Sequence, residues 1–224
     1  MREIVLDTET TGLEPELGHR VVEIACIELN NHLPTDVTKR WYLNPEREMP
    51  TDAFAVHGIG DEFLKSQPRF AEVADEFLAF IEGASLIIHN AAFDIAFLNA
   101  ELERAGRSPL PPGIAIDTLA IARRKFPGAQ ASLDALCRRF AIDNSARTKH
   151  GALLDAELLA EVYLELIGGR QPGLELIAEA AVESRLAIRN QREPRPARPH
   201  APSDVELAAH AQLLARLKSP IWLS

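Results

Sequence analysis

The stretch EIVLDTETTG, residues 3–12, decides how the rest of the chain is read. Ile4, Val5 and Leu6 form an apolar run that closes on the turn residues Thr11 and Gly12, the composition of a buried β-strand. Residues i and i+2 of a strand project to one face, so Asp7 and Glu9 converge on a single spot beside the turn. Two carboxylates that close repel each other, and their hard oxygens suit a divalent cation such as magnesium or manganese. The competing reading is a solvated strand end, because carboxylates are mostly exposed.

Working outward, VVEIACIEL (21–29) and KRWYL (39–43) are two more β-rich runs, with Asn30 and Asn31 as turn residues between them. Three consecutive strands joined as antiparallel hairpins are expected. Helical patterns then alternate with further strands. FAEVADEFLAFIEG (70–83) reads as a helix stopped by Gly83, SLIIHN (85–90) as a short buried strand, and AAFDIAFLNAELERAG (91–106) as a helix stopped by Gly106. IDTLAIARRKF (116–126), SLDALCRRFAI (132–142) and ALLDAELLAEVYLELIGG (152–169) read as three more helices. The expected fold is α/β, a mixed sheet flanked by helices.

The chain has 224 residues, 46% hydrophobic and 25% charged, enough for one well-buried domain and an appendage. No apolar run reaches the ~20 residues of a membrane helix, and MREIVLDTET lacks the basic-then-apolar order of a signal peptide, so the expected compartment is the cytoplasm, with no membrane partner. Cys26 and Cys137 lack metal-ligand spacing, which argues against a disulfide framework or a zinc site. The net charge of −9 is uneven. Arg189–Pro202 holds four arginines against one glutamate and the tail beyond is neutral, so residues 1–188 carry −12. Such a domain cannot hold nucleic acid on a broad basic surface; if it acts on nucleic acid, it needs local metal ions or a partner to hold the strand.

Four prolines among arginines between 189 and 202, with almost no apolar side chain, mark an extended linker. Beyond it, residues 203–224 open with Ser203 and Glu206 in capping-box spacing. They continue as an amphipathic helix with Val205, Leu207, Ala208, Leu213, Leu214 and Leu217 and an apolar tip at Ile221, Trp222 and Leu223.

Two further groups of residues carry chemistry. Asp94 follows a short apolar strand and falls in the first turn of a helix, where the helix dipole alone would justify an anion. His89 and Asn90 before it close the strand end or face the cleft. In His150-Gly-Ala-Leu-Leu-Asp155, five helical residues turn through about 500°, so the two side chains would diverge if both were helical. His150 is therefore expected on the loop entering the helix, with Asp155 on its first or second turn.

D-x-E on a first strand, Asp at a strand-to-helix turn and H-x4-D opening a late helix together resemble the DEDDh family of 3′→5′ exonucleases of the ribonuclease H-like fold. DTETTG, VHGI (56–59) and IIHNAAFDIAFLN (87–99) resemble, within it, the proofreading ε subunits of bacterial DNA polymerase III. The resemblance covers residues 2–170. It implies a proofreading exodeoxyribonuclease that removes mispaired 3′-terminal nucleotides as 5′-monophosphates. Asp7, Glu9, Asp94 and Asp155 would hold two divalent ions, Mg2+ or Mn2+, and His150 would deprotonate the attacking water. An imidazole suits a base working near neutral pH.

The same resemblance implies that Asp7, Glu9, Thr10, Thr11, Gly12, Asp52, His57, Phe93 and Asp155 touch the terminal nucleotide. Asp52 stands where the ε pattern carries Glu, keeping the charge and losing reach. The chain is expected to fall into four regions: the exonuclease domain that the resemblance implies at 1–170 and, from composition and periodicity, a helix at 171–188, the linker at 189–202 and a polymerase-binding tail at 203–224. Partners would be DNA 3′ ends, the polymerase III α catalytic subunit, the sliding clamp and a small accessory subunit, in a replisome at the nucleoid. Gln171, Leu174 and Leu176 resemble the short peptides that dock bacterial replication proteins on the clamp; alternatively Leu174 and Leu176 begin another amphipathic helix. Two other functions compete: a DEDDh exoribonuclease acting on short RNA or RNA 3′ ends, and a catalytically silent scaffold. Crowded like charges would serve a scaffold nothing.

Overall fold

Both faces of the first strand are covered, which explains why its apolar run lacks alternation. Ile4 and Leu6 enter a core with Phe70, Phe77, Phe97 and Leu98, while Val5 enters a second core with Leu136, Ala156, Leu159 and Tyr163. The structure is a computed structural model that describes residues 1–145, 150–168 and 201–217. Strands β1 (Arg2–Thr10), β2 (Val21–Asn30) and β3 (Leu33–Tyr42) form consecutive antiparallel hairpins. Strand β4 (Ser85–Ile88) then lies parallel to β1, and β5 (Ala115–Asp117) parallel to β4. The sheet order is β3-β2-β1-β4-β5.

Helices α1 (Thr51–His57), α2 (Asp61–Leu64) and α3 (Phe70–Ile81) lie between β3 and β4. Helix α4 (Ala91–Arg104) joins β4 to β5, and α5 (Thr118–Lys125), α6 (Leu133–Phe140) and α7 (Ala152–Ile167) follow. Helices α3 and α4 cover one face of the sheet and α6 and α7 the other. Cys26 and Cys137 are buried on opposite faces.

Three local features differ from the sequence expectation. Asp117 closes a three-residue strand, β5, and its side chain caps α5 by accepting from the Leu119 and Ala120 N–H groups; three residues are too few to show a period. Helix α1 exposes Phe54 and Val56, so no buried stripe signals it in the sequence. The β2–β3 turn is centred on Asn31 and His32, both at positive φ (50° and 68°), one residue later than the Asn30-Asn31 reading and suited to the twist of a tight hairpin.

The chain divides into two compact units, Met1–Gln171 and Pro172–Ser224. In the second, α8 (Asp204–Arg216) carries the capping box, with Ser203 and Glu206 bonded reciprocally. It exposes Val205, Leu207 and Leu213. The helix expected at 171–188 with its clamp-like residues Gln171, Leu174 and Leu176, linker residues 189–200 and the Ile221-Trp222-Leu223 tip lie outside the described residues. Among the described residues, no helix is long and apolar enough to cross a membrane.

Candidate active site

The carboxylates meet at the end of β1, where the β1–β2 register slips between Glu9 and Thr10. Bulges of this kind re-aim side chains and are frequent beside active sites. Glu9 is buried, and Asp7, partly exposed as a residue, keeps its carboxyl in the desolvated interior of the cluster. Asn90, at positive φ (66°), turns the chain from β4 into α4 and leaves Asp94 buried in the helix's first turn, where its Oδ1 accepts from the Thr8 hydroxyl at 2.7 Å. His89 and Asn90 close the strand end: His89 Nδ1 lies 2.9 Å from Thr118 Oγ1, and the Asn90 N–H donates to Asp117.

Asp155 arrives from the opposite side of the sheet, in the first turn of α7, and is likewise buried. His150 sits on the loop before Gly151, with Nδ1 at 3.3 Å from Asp155 Oδ2. Its N–H donates to the Val56 carbonyl at 3.2 Å, tying this loop to α1. Glu9, His150 and Asp155 each offer one ligand atom within 4.8 Å of the others.

Electrostatics set this cluster apart from ordinary surface acids. The Asp7 carboxyl is held well above its ordinary range, first by burial, then by the charges of Asp94, Asp155, Glu9 and Glu23. Burial is also the main cause for Asp94, pushed up to about 7 against the hydrogen bond from Thr8, with Asp117 adding repulsion. Oxygen donors destabilised by their own mutual charge fit a hard divalent cation, which would relieve both the repulsion and the desolvation. A carboxyl raised in the folded state lends stability at low pH that disappears as pH climbs from its ordinary 3.8 through about 7. In metal-free protein Asp94→Asn should therefore raise the melting temperature by several degrees at pH 8 and leave it unchanged at pH 4. Thermal melts with a chelator check this, and equal shifts at both pH values would contradict it.

Beside the carboxylates lies an open cleft of ≈ 590 Å³ whose walls include Glu9, Thr10, Thr11, Gly12, Asp52, His57 and Phe93. Of the nine expected substrate contacts, seven thus line one cavity, and Asp7 and Asp155 belong to the adjoining acidic cluster. Asp52 is exposed in the first turn of α1, and His57 is buried at its end, accepting from the Ile59 N–H. The Phe93 ring leans on Phe97 at 4.9 Å between centroids, so it is both cleft wall and edge of the core.

Three residues of this neighbourhood escaped the sequence reading. His19 lines the cleft, with Nδ1 at 3.2 Å from Thr11 Oγ1, and a Cβ at Gly12 would overlap its ring, so the glycine is there for close approach. Asp117 lends charge from β5. Glu23 faces Glu9 across the β1–β2 ladder. Only Glu23 left a signal, an acid inside the otherwise apolar VVEIACI.

Comparison with known proteins accords with this geometry. Residues 4–163 match the exonuclease family model. The chain is 50% identical to the DNA polymerase III subunit epsilon of Rickettsia conorii over 222 residues, covering 97% of this chain and 96% of that protein. It is 52% identical to the subunit of the same name from Escherichia coli over 177 residues, 75% of this chain and 72% of that one. Among solved structures, the nuclease domain of 3′hExo, a DEDDh family member bound to rAMP, superposes with a TM-score of 0.65 at 21% identity, covering 74% of this chain and 91% of that one. The E. coli ExoI–ssDNA complex gives 0.66 at 18% identity, covering 84% and 44%. At such identities these two structures show the shared ribonuclease H-like fold. With the family model spanning most of the nuclease unit and half of all residues shared along nearly its whole length, the chain belongs to the exonuclease family and, within it, to the ε subunits of DNA polymerase III.

Proposed function

We propose that the chain edits DNA during replication, removing mispaired 3′-terminal nucleotides as 5′-monophosphates in the cytoplasm, bound to a replicative polymerase. The observation that carries this reading is the meeting of Asp7, Glu9, Asp94, Asp155 and His150 beside one cleft able to take a strand end. Two Mg2+ or Mn2+ ions held by the four carboxylates would supply charge stabilisation at the scissile phosphate. With Nδ1 turned toward Asp155, His150 takes the proton of the attacking water on Nε2. Thr10, Thr11 and Gly12 form the edge against which the terminal nucleotide rests, opposite Asp52 and His57 on α1, with Phe93 as an apolar wall.

Selectivity for mispaired ends follows from fraying, because a mismatch separates at lower cost than a pair and the cleft is reached by an unpaired strand. The test is parallel digestion of paired and mispaired DNA primers and of RNA oligonucleotides with Mg2+ or Mn2+. Mispaired and single-stranded DNA should be degraded fastest from the 3′ end, and paired ends should improve on warming. Preferential cleavage of RNA would favour the exoribonuclease reading instead.

The exposed apolar side chains of α8 support a tether to the polymerase III α subunit through residues 203–224, which would raise local concentration without any DNA contact. Clamp docking through Gln171, Leu174 and Leu176, and an accessory subunit, belong to the same assembly. Deleting residues 190–224 should preserve hydrolysis of free oligonucleotides and end co-purification with α; undiminished association would refute the tether.

A further inference from the structure

Helix α7 carries Asp155 in its first turn, and its N-cap residue, Gly151, has no side chain to cap it. The first N–H groups of any helix have no partner within it. Here the Ala152 N–H donates to Glu23 Oε2 at 3.3 Å, an oxygen that comes from β2, 129 residues earlier in the chain. The other oxygen, Oε1, accepts from Arg40 Nε on β3 at 2.6 Å. Glu23 is fully buried.

That placement puts a negative charge, ion-paired with Arg40, beside the acidic cluster. Glu23 lies opposite Glu9 in the ladder and adds its negative charge to the field acting on Asp7. A carboxylate matches the two donors it meets here, one oxygen for Arg40 Nε and the other for the Ala152 N–H. What it reaches is the helix start that sets where Asp155 and His150 stand.

We propose that Glu23 is a positioning residue for the hydrolytic reaction: by capping α7 from the sheet it fixes the angle at which His150-Gly151 enters the helix. Gly151 is extended (φ −164°) and constrains little by itself. Among the described residues, the Ala152 N–H bond to Glu23 from the sheet and the His150 N–H bond to the Val56 carbonyl from α1 hold the entering segment. Together they define the 3.3 Å approach of His150 Nδ1 to Asp155 Oδ2. Arg40 holds the carboxylate in the orientation that reaches Ala152. Displacement of a reacting group by about 1 Å can cost ~10²-fold in rate.

The inference rests on the proposed nuclease reading, so its test pairs kinetics with a measurement that needs no turnover. In the full chain, Glu23→Ala should lower kcat on a single-stranded DNA oligonucleotide by ~10²-fold with KM little changed. In metal-free protein it should speed amide exchange at Ala152–Asp155 at least tenfold while β1 and α4 keep their protection. Glu23→Gln keeps one acceptor oxygen and sets its NH2 against either the Ala152 N–H or Arg40 Nε–H, so it should fall between the parent and Glu23→Ala in both readouts. Should Glu23→Ala fail to fold, Glu23→Asp, one methylene shorter and still charged, should show the same paired losses. Parental kcat and parental α7 exchange in Glu23→Ala or Glu23→Asp would overturn the proposal. If the parent hydrolyses no DNA, the nuclease reading fails while the exchange data still judge the cap.

Discussion

Asp7→Asn is expected to abolish hydrolysis and, at the same time, to raise the melting temperature of the metal-free protein. The two effects share one origin. Burial and the charges of Asp94, Asp155, Glu9 and Glu23 all disfavour the ionised Asp7 carboxyl, so the amide removes a penalty that the fold otherwise carries. For a domain of this size each 1 kcal/mol regained lifts the melting temperature by about 2–4 °C. The same substitution removes a negative oxygen donor from the cluster proposed to hold the cations. Charge stabilisation worth several kcal/mol corresponds to a loss of ~10³–10⁵-fold in rate. Initial rates on a 3′-labelled single strand and calorimetry with a chelator measure both quantities. An active Asp7→Asn, within tenfold of the parent, would remove Asp7 from the metal-holding set; a lower melting temperature would mean that the carboxylate is stabilising.

His150→Ala carries the next largest expected effect, a ~10²–10⁴-fold loss in kcat. The argument is positional. The imidazole is half exposed on the loop before α7, at 3.3 Å from Asp155, and its backbone is anchored to Val56, so truncation should disturb neither core. Cleft residues Thr10, Thr11, Asp52 and His57 remain, and oligonucleotide binding should be retained. Loss of proton transfer alone then appears as lower kcat at constant KM, with a flattened pH–rate profile between pH 6 and 9. A parental rate across that range would remove the general-base role. An equal rise in KM would instead make His150 a substrate contact.

Much of the architecture was legible because it is local. The β-rich runs at 3–7, 21–29 and 39–43 and the capped, periodic stretches at 70–83, 91–106 and 152–169 announce their elements through side-chain period and stop signals, which depend only on neighbours in sequence. Asp7, Glu9, Asp94, His150 and Asp155 could be picked out for the same reason, each being tied to a strand end, a helix's first turn or a loop before one. Strand β5 and helix α1 were not legible, since one is three residues long and the other exposes Phe54 and Val56.

What only the tertiary structure decided is how residues far apart in sequence act on one another. Parallel pairing of β1 with β4 brings Thr8 to Asp94, 86 residues on, and the packing of α7 on the sheet brings Ala152 to Glu23. Burial and converging charge then shift the carboxyls of Asp7 and Asp94, a property no spacing rule contains, because it depends on distance through a medium of low polarizability rather than along the chain. The sequence alone determined on which elements Asp7, Glu9, Asp94, His150 and Asp155 ride. Their mutual repulsion, the packing of His19 over Gly12 and the cap that Glu23 supplies to α7 exist only once the sheet has closed both of its faces.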